Sequence, residues 1–327
     1  MRKTQIFSKT TFALISGLLF TPVLFAQNAP AAKGAINTQA TSPATPAKPP
    51  VIPYQGTTMD KIRSTGKIII GVRSSSIPLS YIVNKQPIGY GVDICNDIVN
   101  TIKTNYNLPN LQTEYVEVTG DTRIPYTVSG KVDLECGSTT NNAARRKDVD
   151  FSVTYYISGV RILTKNNSGI HFLNDLRGKR VSLGSGTTSV PLVDKFNKER
   201  AMNITKVTED GFTKAFNDVD TGKADAFVLD DLLLFGERSK SSHPQDFSVV
   251  GEFLSVEPLA IMIRKNDPEF KSIVDKEMLR LINTGEINQY YKKWFESPIP
   301  PNNQNLNIPQ SPLLKDNFRM PTDQVGN

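Results

Sequence analysis

Between about residues 57 and 296, short apolar runs alternate with segments whose hydrophobic residues recur at helical spacing, and this alternation leaves few folds open. Strands that repeatedly give way to helices read as α/β architecture, with parallel sheets covered by helices on both faces. The pattern predicts strands at 67–72, 112–118, 132–136, 180–183, 204–207, 224–229 and 259–263, and helices at 92–104, 189–200, 212–221, 230–239 and 268–283. The last helix carries Phe270, Ile273, Val274, Leu281 and Ile282 on one stripe, which marks a core face rather than a partner surface.

The flanks read differently. Residues 1–26 open with Arg2, Lys3 and Lys9, continue through an apolar stretch around Phe12 to Phe20, and end at Ala26. This is the pattern of a secretory signal peptide, with cleavage expected after Ala26 although Leu24 stands where a small residue is usual. The strongly apolar part is short against the ~20 residues of a membrane span. Thirteen of the 27 residues from Gln27 to Pro53 are Ala or Pro, so a disordered linker is expected over 27–56. The Pro- and Asn-rich stretch over 297–327 is expected to be an irregular tail.

The formal charge of +6 invites a polyanion-binding reading, but its placement argues against one. Arg2, Lys3, Lys9, Lys33 and Lys48 all precede Asp60, the first acidic residue, which leaves +1 for the rest of the chain. No nucleic-acid partner is expected. Two His and two Cys exclude a His-rich metal centre or a four-Cys zinc site, and no metal or cofactor is expected. In an oxidising compartment Cys95 and Cys136 form either one bridge or two separately buried thiols. Cys95 shares its helix face with Val92, Ile98, Val99 and Ile102, and Cys136 ends a strand.

Ligands in open α/β sheets sit beyond the carboxyl ends of the strands, so the residues just after each apolar run are the informative ones. Arg73 follows one strand and Arg123 comes shortly after another. Ser138, Thr139 and Thr140 follow VDLECG, Ser185, Thr187 and Thr188 follow RVSLG, and Asp230 follows AFVL. Both hydroxyl clusters read as strand, small residues, hydroxyls, helix start. That arrangement serves plain helix capping or an anion site at a helix N-terminus. Neither cluster has the Lys-Ser/Thr ending of a phosphate loop. Arg145 and Arg146 fall in the expected first turn after STTNN, where cations oppose the helix dipole, so either an anionic ligand or a solvated basic surface accounts for them. Asp230 and Asp231 are both candidate helix caps, and an ammonium partner is the functional reading for Asp230. His171 and His243 lie in polar context without a matched nucleophile, and no pair of carboxylates stands out as buried together.

The strings GVRSSSIPLSY, TRIPYTVSGKVDLECGSTTNNAARRKDVDFS, GVRILTK, SGTTS, DAFVLDDLLLFGER and YYKKWFESPIPP, spread over about 57–301, resemble the periplasmic amino-acid-binding proteins of ABC importers, and among them the glutamate/aspartate-binding branch. The resemblance implies a two-lobed, type II periplasmic-binding-protein fold with two crossing hinge strands. Lobe one would be 57–158 plus 256–296 and lobe two 159–255. It also implies a monomer that closes on L-glutamate or L-aspartate in the periplasm and delivers it to a membrane permease. By matching positions, Arg145 with Thr140 and Ser138 would grip the α-carboxylate, with Thr188 reaching across the cleft. Asp230 would take the α-ammonium, and Arg73 and Arg123 would pair with the side-chain carboxylate. Two positions depart from the pattern: Phe212 stands where a His is expected, and Gly120 where a Ser is expected. The resemblance implies a binding protein and not an enzyme. The alternative is a cyclohexadienyl dehydratase-like lyase on the same scaffold, which would turn prephenate or arogenate into an aromatic product. A sensory ligand-binding module is a third reading, disfavoured because no second membrane segment or signalling domain follows.

Overall fold

The computed structural model describes residues 54–325. The expected signal peptide, its cleavage point and the linker up to residue 53 lie outside the described residues. The predicted linker ends before residue 56, because Tyr54 donates its backbone N–H to Val128 O at 3.1 Å and lies under the Arg264 guanidinium, 4.9 Å from the ring centre.

Two sheets organise the chain. The first has the strand order Gln112–Glu117, Lys67–Val72, Leu134–Glu135, Met262–Arg264, Val149–Phe151. Its first three strands are parallel, with Lys67 opposite Gln112 and Ile70 opposite Leu134. The second has the order Thr205–Glu209, Arg180–Gly184, Ala226–Asp230, Tyr156–Lys165, Phe247–Val250, and again the first three are parallel. The sheets are mixed rather than wholly parallel. Met262–Arg264 and Tyr156–Lys165 run antiparallel to both of their in-sheet neighbours. The reason lies in the crossing: the chain leaves the first sheet on Tyr156–Lys165 and returns on Val256–Leu259, which pairs antiparallel with its beginning, Val256 opposite Gly159 and Leu259 opposite Tyr156. The single apolar run expected at 259–263 is therefore divided. Leu259 closes the crossing strand, Ala260 and Ile261 connect the two strands, and Met262 opens a strand of the first sheet, all of them fully buried.

The expected helices appear as Tyr90–Asn105, Ser189–Glu199, Phe212–Asp220, Asp231–Lys240 and Pro268–Thr284. The last is capped by Asp267, whose carboxylate accepts from Phe270 N, and has Pro268 at its first position. Gly285 ends it at φ 78°, a left-handed conformation that favours glycine. Helix Tyr90–Asn105 buries Val92, Cys95, Ile98, Val99 and Ile102 as the spacing predicts. Cys95 is joined to Cys136 with 6.3 Å between Cα atoms, so the two cysteines are one bridge and not two thiols.

The C-terminal segment is not the irregular tail expected from its composition. Pro298–Ile299 pairs with Gln304–Asn305, and Pro312–Arg319 is a helix. Ser311 caps that helix through Leu314 N at 3.1 Å, and the missing N–H of Pro312 is harmless at the first position. Ile299 and Leu314 are buried in the core, and Tyr81 Oη donates to Pro300 O at 2.8 Å.

Candidate functional site

Residues beyond the carboxyl ends of strands in both sheets line one small, tightly closed cavity: Arg123, Ser138, Thr140 and Arg145 from the side of the first sheet, and Thr187, Thr188, Phe212 and Asp230 from the side of the second, with Leu229 and Leu233. Six of the seven residues singled out in the sequence are therefore together. Arg73, the seventh, adjoins them, its guanidinium lying 5.0 Å from the centre of the Phe212 ring.

The three arginines are wholly or largely withdrawn from water. Arg73 and Arg123 are nearly completely buried. The backbone N–H of Arg73 donates to Ser80 Oγ at 2.9 Å, which fixes the strand end, while its Nη1 has no hydrogen-bond partner. Arg123 Nη2 donates to Gly186 O across the cleft at 2.9 Å, and its Nε is unpartnered. Arg145 is half-buried as a residue, but its guanidinium faces inward, with Nη1 donating to Thr140 O at 2.9 Å and Nη2 to Gly186 O at 3.2 Å. Loss of water lowers all three from the ordinary guanidinium value. Burial and then the Arg123 charge bring Arg145 down to about 9 and Arg73 to about 10. Asp230 shows the opposite response. Burial, then the charges of Glu257 and Asp231, push its carboxyl well above the usual range, and Arg145 and Arg123 oppose the rise.

Two acids that the sequence reading passed over belong to this electrostatic unit. Glu135 is fully buried, neither carboxylate oxygen has a hydrogen-bond partner, and its charge acts on Arg73, Arg123 and Arg145. Glu257 lies on the returning strand, accepts from Ser255 Oγ at 2.5 Å, and acts on Arg145 and Asp230. A signal for Glu135 was present, since an acid inside the apolar run VDLEC has no wet face to turn to in a sheet covered on both sides.

The two hydroxyl clusters turn out to differ. STTNN does not open an α-helix: Thr140 forms a bridge with Leu259, and only a three-residue 3₁₀ turn follows at Arg145–Lys147. The helix-dipole argument therefore does not apply to Arg145 and Arg146. SGTTS does open the helix Ser189–Glu199, with Thr188 at the cap position making no side-chain capping bond and the Ser185 and Ser189 hydroxyls buried without partners. Plain capping thus does not explain that cluster. Asp231 is accounted for structurally, accepting from Leu232 N and Ser158 Oγ at 2.7 Å each, whereas Asp230 makes no capping bond.

Both departures from the expected pattern find physical roles. The Phe212 ring, in place of a His, offers its face to Arg73. Gly120 stands so close to the opposite side that a Cβ there would lie 2.0 Å from Ser185 O, and a Cβ on Gly186, itself at φ 67°, would lie 2.4 Å from Gly120 O. The cleft is closed here by backbone against backbone. His171 and His243 do not line the cavity; His243 Nδ1 meets Ser242 Oγ at 2.7 Å instead. Among the described residues no group of three or more His, Cys, Asp or Glu is placed to hold a metal ion.

Residues 68–297 match the family described as Bacterial extracellular solute-binding proteins, family 3. The Glutamate/aspartate import solute-binding protein of Salmonella typhimurium is 41% identical over 276 residues, covering 84% of this chain and 91% of the relative. The L-glutamate/L-aspartate-binding protein of Pseudomonas aeruginosa is 42% identical over 271 residues, covering 82% and 90%. Among solved structures, a mutant of ArgBP from T. maritima superposes with a TM-score of 0.65 at 28% identity, covering 73% of this chain and 99% of that one. An ancestral amino acid-binding protein described as a precursor of cyclohexadienyl dehydratase superposes with a TM-score of 0.62 at 29% identity, covering 73% and 99%.

Proposed function

This chain belongs to the bacterial extracellular solute-binding proteins of family 3, and we propose that it is exported after cleavage at Ala26, captures one molecule of L-glutamate or L-aspartate as a monomer in the periplasm, and delivers it to the permease of an ABC importer. It is a binding protein and not an enzyme, as are its relatives at 41% and 42% identity. Lobe one would comprise 57–158 plus 256–296 and lobe two 159–255.

Arg145 with Thr140 and Ser138 takes the α-carboxylate, and Thr188 meets it from the other lobe. Asp230 receives the α-ammonium, and Arg123 with Arg73 beside it attracts the distal carboxylate. The observation that carries this reading is the convergence of three desolvated guanidinium groups and a carboxyl with a strongly raised pKa around one cavity lined from both sheets. Charges taken out of water are tolerated only when opposite charge repays the loss. A zwitterion with an extra carboxylate supplies partners to both signs at once, and a neutral amino acid leaves the distal guanidinium unrepaid. Each charged hydrogen bond contributes ~1.5–3 kcal/mol, so three ionic groups supply ~4.5–9 kcal/mol, a range that brackets the ~8 kcal/mol of micromolar affinity. Since such a ligand touches both lobes, it stabilises the closed population, which the permease can read.

Calorimetry against glutamate, aspartate, glutamine, asparagine and cystine tests the reading, with Arg73→Ala and Arg145→Ala beside the wild type. Arg145→Ala is expected to weaken every binder, and Arg73→Ala chiefly to remove the preference for acids. A wild-type preference for glutamine over glutamate would refute the distal-pocket assignment.

A further inference from the structure

Arg145 and Arg146 are adjacent cations in the same 3₁₀ turn, yet only Arg145 enters the cleft. Arg146 instead meets the end of the described chain. Arg146 Nε donates to Asn141 Oδ1 at 2.7 Å, and its Nη2 donates to Asp323 O and lies 3.5 Å from the Asp323 carboxylate. Asn141 Nδ2 donates to the same Asp323 carbonyl at 2.8 Å. The Asp323 carboxylate is 3.0 Å from Lys271 Nζ, which also donates to Phe151 O and Asp275 Oδ2. One residue earlier, Thr322 O accepts from Thr154 N at 3.1 Å. These charged partners matter electrostatically: burial raises the Asp323 carboxyl, but Lys271 and Arg146 more than reverse this and hold it below the ordinary value.

The segment held in this way is the one that reaches into the cavity. Thr140 and Arg145 face the cleft, while Asn141 and Arg146, alternating with them, face the C-terminal segment. From the other direction the returning strand grips the same stretch, through Asn141 N to Pro258 O at 2.8 Å and Ala260 N to Thr139 O at 3.2 Å. The geometry points to a positioning role for Pro321–Asp323: the C-terminal strap clamps the carboxylate-binding loop against the crossing strand, and Asp323 draws Arg146 away so that Arg145 alone presents its fork to the ligand. This rests on the acidic amino acid reading above and adds to it a residue far away in sequence.

Two near neighbours of like charge would otherwise compete for the same anion, and the planar fork of Arg145 must be oriented to hold a carboxylate with two parallel bonds. Since the α-carboxylate is common to glutamate and aspartate, loosening the strap weakens both alike. The test is calorimetry with the full secreted chain as wild type, Asp323→Ala, a truncation lacking residues 321–327, Arg145→Lys, and Asp323→Ala combined with Arg145→Lys. Asp323→Ala is expected to lower affinity for glutamate and aspartate about tenfold each, the scale of one charged hydrogen bond, and truncation to lower it further. In the Arg145→Lys background the Asp323→Ala effect should shrink, because the strap acts through the guanidinium fork. Hydrogen exchange in Asp323→Ala should quicken across 139–146 and not across the rest of the chain. Undiminished affinity in the truncated protein, an equal Asp323→Ala loss in both backgrounds, or unchanged exchange across 139–146 would each overturn the strap. A wild type that binds neither acid overturns instead the functional reading on which the strap depends, and the strap with it.

Discussion

At the scale of single residues, the cleft works by leaving charges dry. Asp230 is the clearest case, and its sign can be followed through. A carboxyl raised by burial holds a proton more readily in this closed cleft than it would in water, so the ligand-free closed form gains from acid and loses that gain as pH rises. If Asp230 takes the ligand ammonium, as proposed above, that ammonium must displace this proton. Affinity for glutamate is therefore expected to fall as pH drops from 7 to 5, with proton release visible as a dependence of the calorimetric heat on the buffer. Asp230→Asn should bind more weakly and lose most of that pH dependence; an unaltered pH profile would remove Asp230 from the ammonium site. Phe212 offers a second test. Replacing it by Leu retains apolar bulk but removes the ring face beneath Arg73, worth about 1–2 kcal/mol in a desolvated setting, so binding should weaken roughly tenfold. If Phe212→Leu binds as tightly as the wild type, the ring serves only to fill space.

At the scale of elements, residues were legible where one pressure acted alone. Helix Pro268–Thr284 was plain because its stripe, its Asp-Pro start and its terminal Gly all agree. Strand Tyr156–Lys165 was missed because it belongs to two pairings at once, and its burial does not alternate. Composition misled the reading of the C-terminal segment, where Ser311-Pro312 opens a helix that the surrounding Pro and Asn disguise. The bridge between helix Tyr90–Asn105 and the residue following Leu134–Glu135 also belongs at this scale. It ties a covering helix to the strand that leads directly into Ser138 and Thr140. In the chain-entropy account, closing such a loop stabilises by up to about 4 kcal/mol. Cys95→Ser with Cys136→Ser should lower the melting temperature by roughly 10 °C, and reductant should then have no further effect on the variant. Melting that matches the oxidised wild type would mean the bridge adds nothing to the native state.

For the whole molecule, the two sides of the cleft meet where two backbones touch. Gly120 and Gly186 approach with no room for a side chain on the former, and Arg123 and Arg145 both donate to Gly186 O from across the cleft. Gly120→Ser is expected to wedge this contact. Small-angle scattering should show a larger radius of gyration in saturating glutamate than for the wild type, and calorimetry a weaker affinity. Full compaction with ligand in Gly120→Ser would show that the contact yields without consequence.

The α/β class, most helices, and six of the seven cavity-lining or adjoining side chains at strand ends followed from local pattern, because burial period and strand polarity are written in neighbouring residues. The same pattern singled out Arg73 after its strand, although it reaches the cavity only by way of Phe212. Other features depended on groups far apart in the chain. Glu135 and Glu257 meet the arginines through strand pairing between segments far apart in the chain, Glu135 opposite Gly71 and Glu257 opposite Ser158. Arg145 and Arg146, neighbours in the sequence, meet different partners in the fold: Arg145 lines the cavity, and Arg146 meets Asp323, 177 residues further along. A sequence states which charges a chain carries, but which opposite charge each one meets in a dry interior depends on distance, and distance is set only by the folded whole.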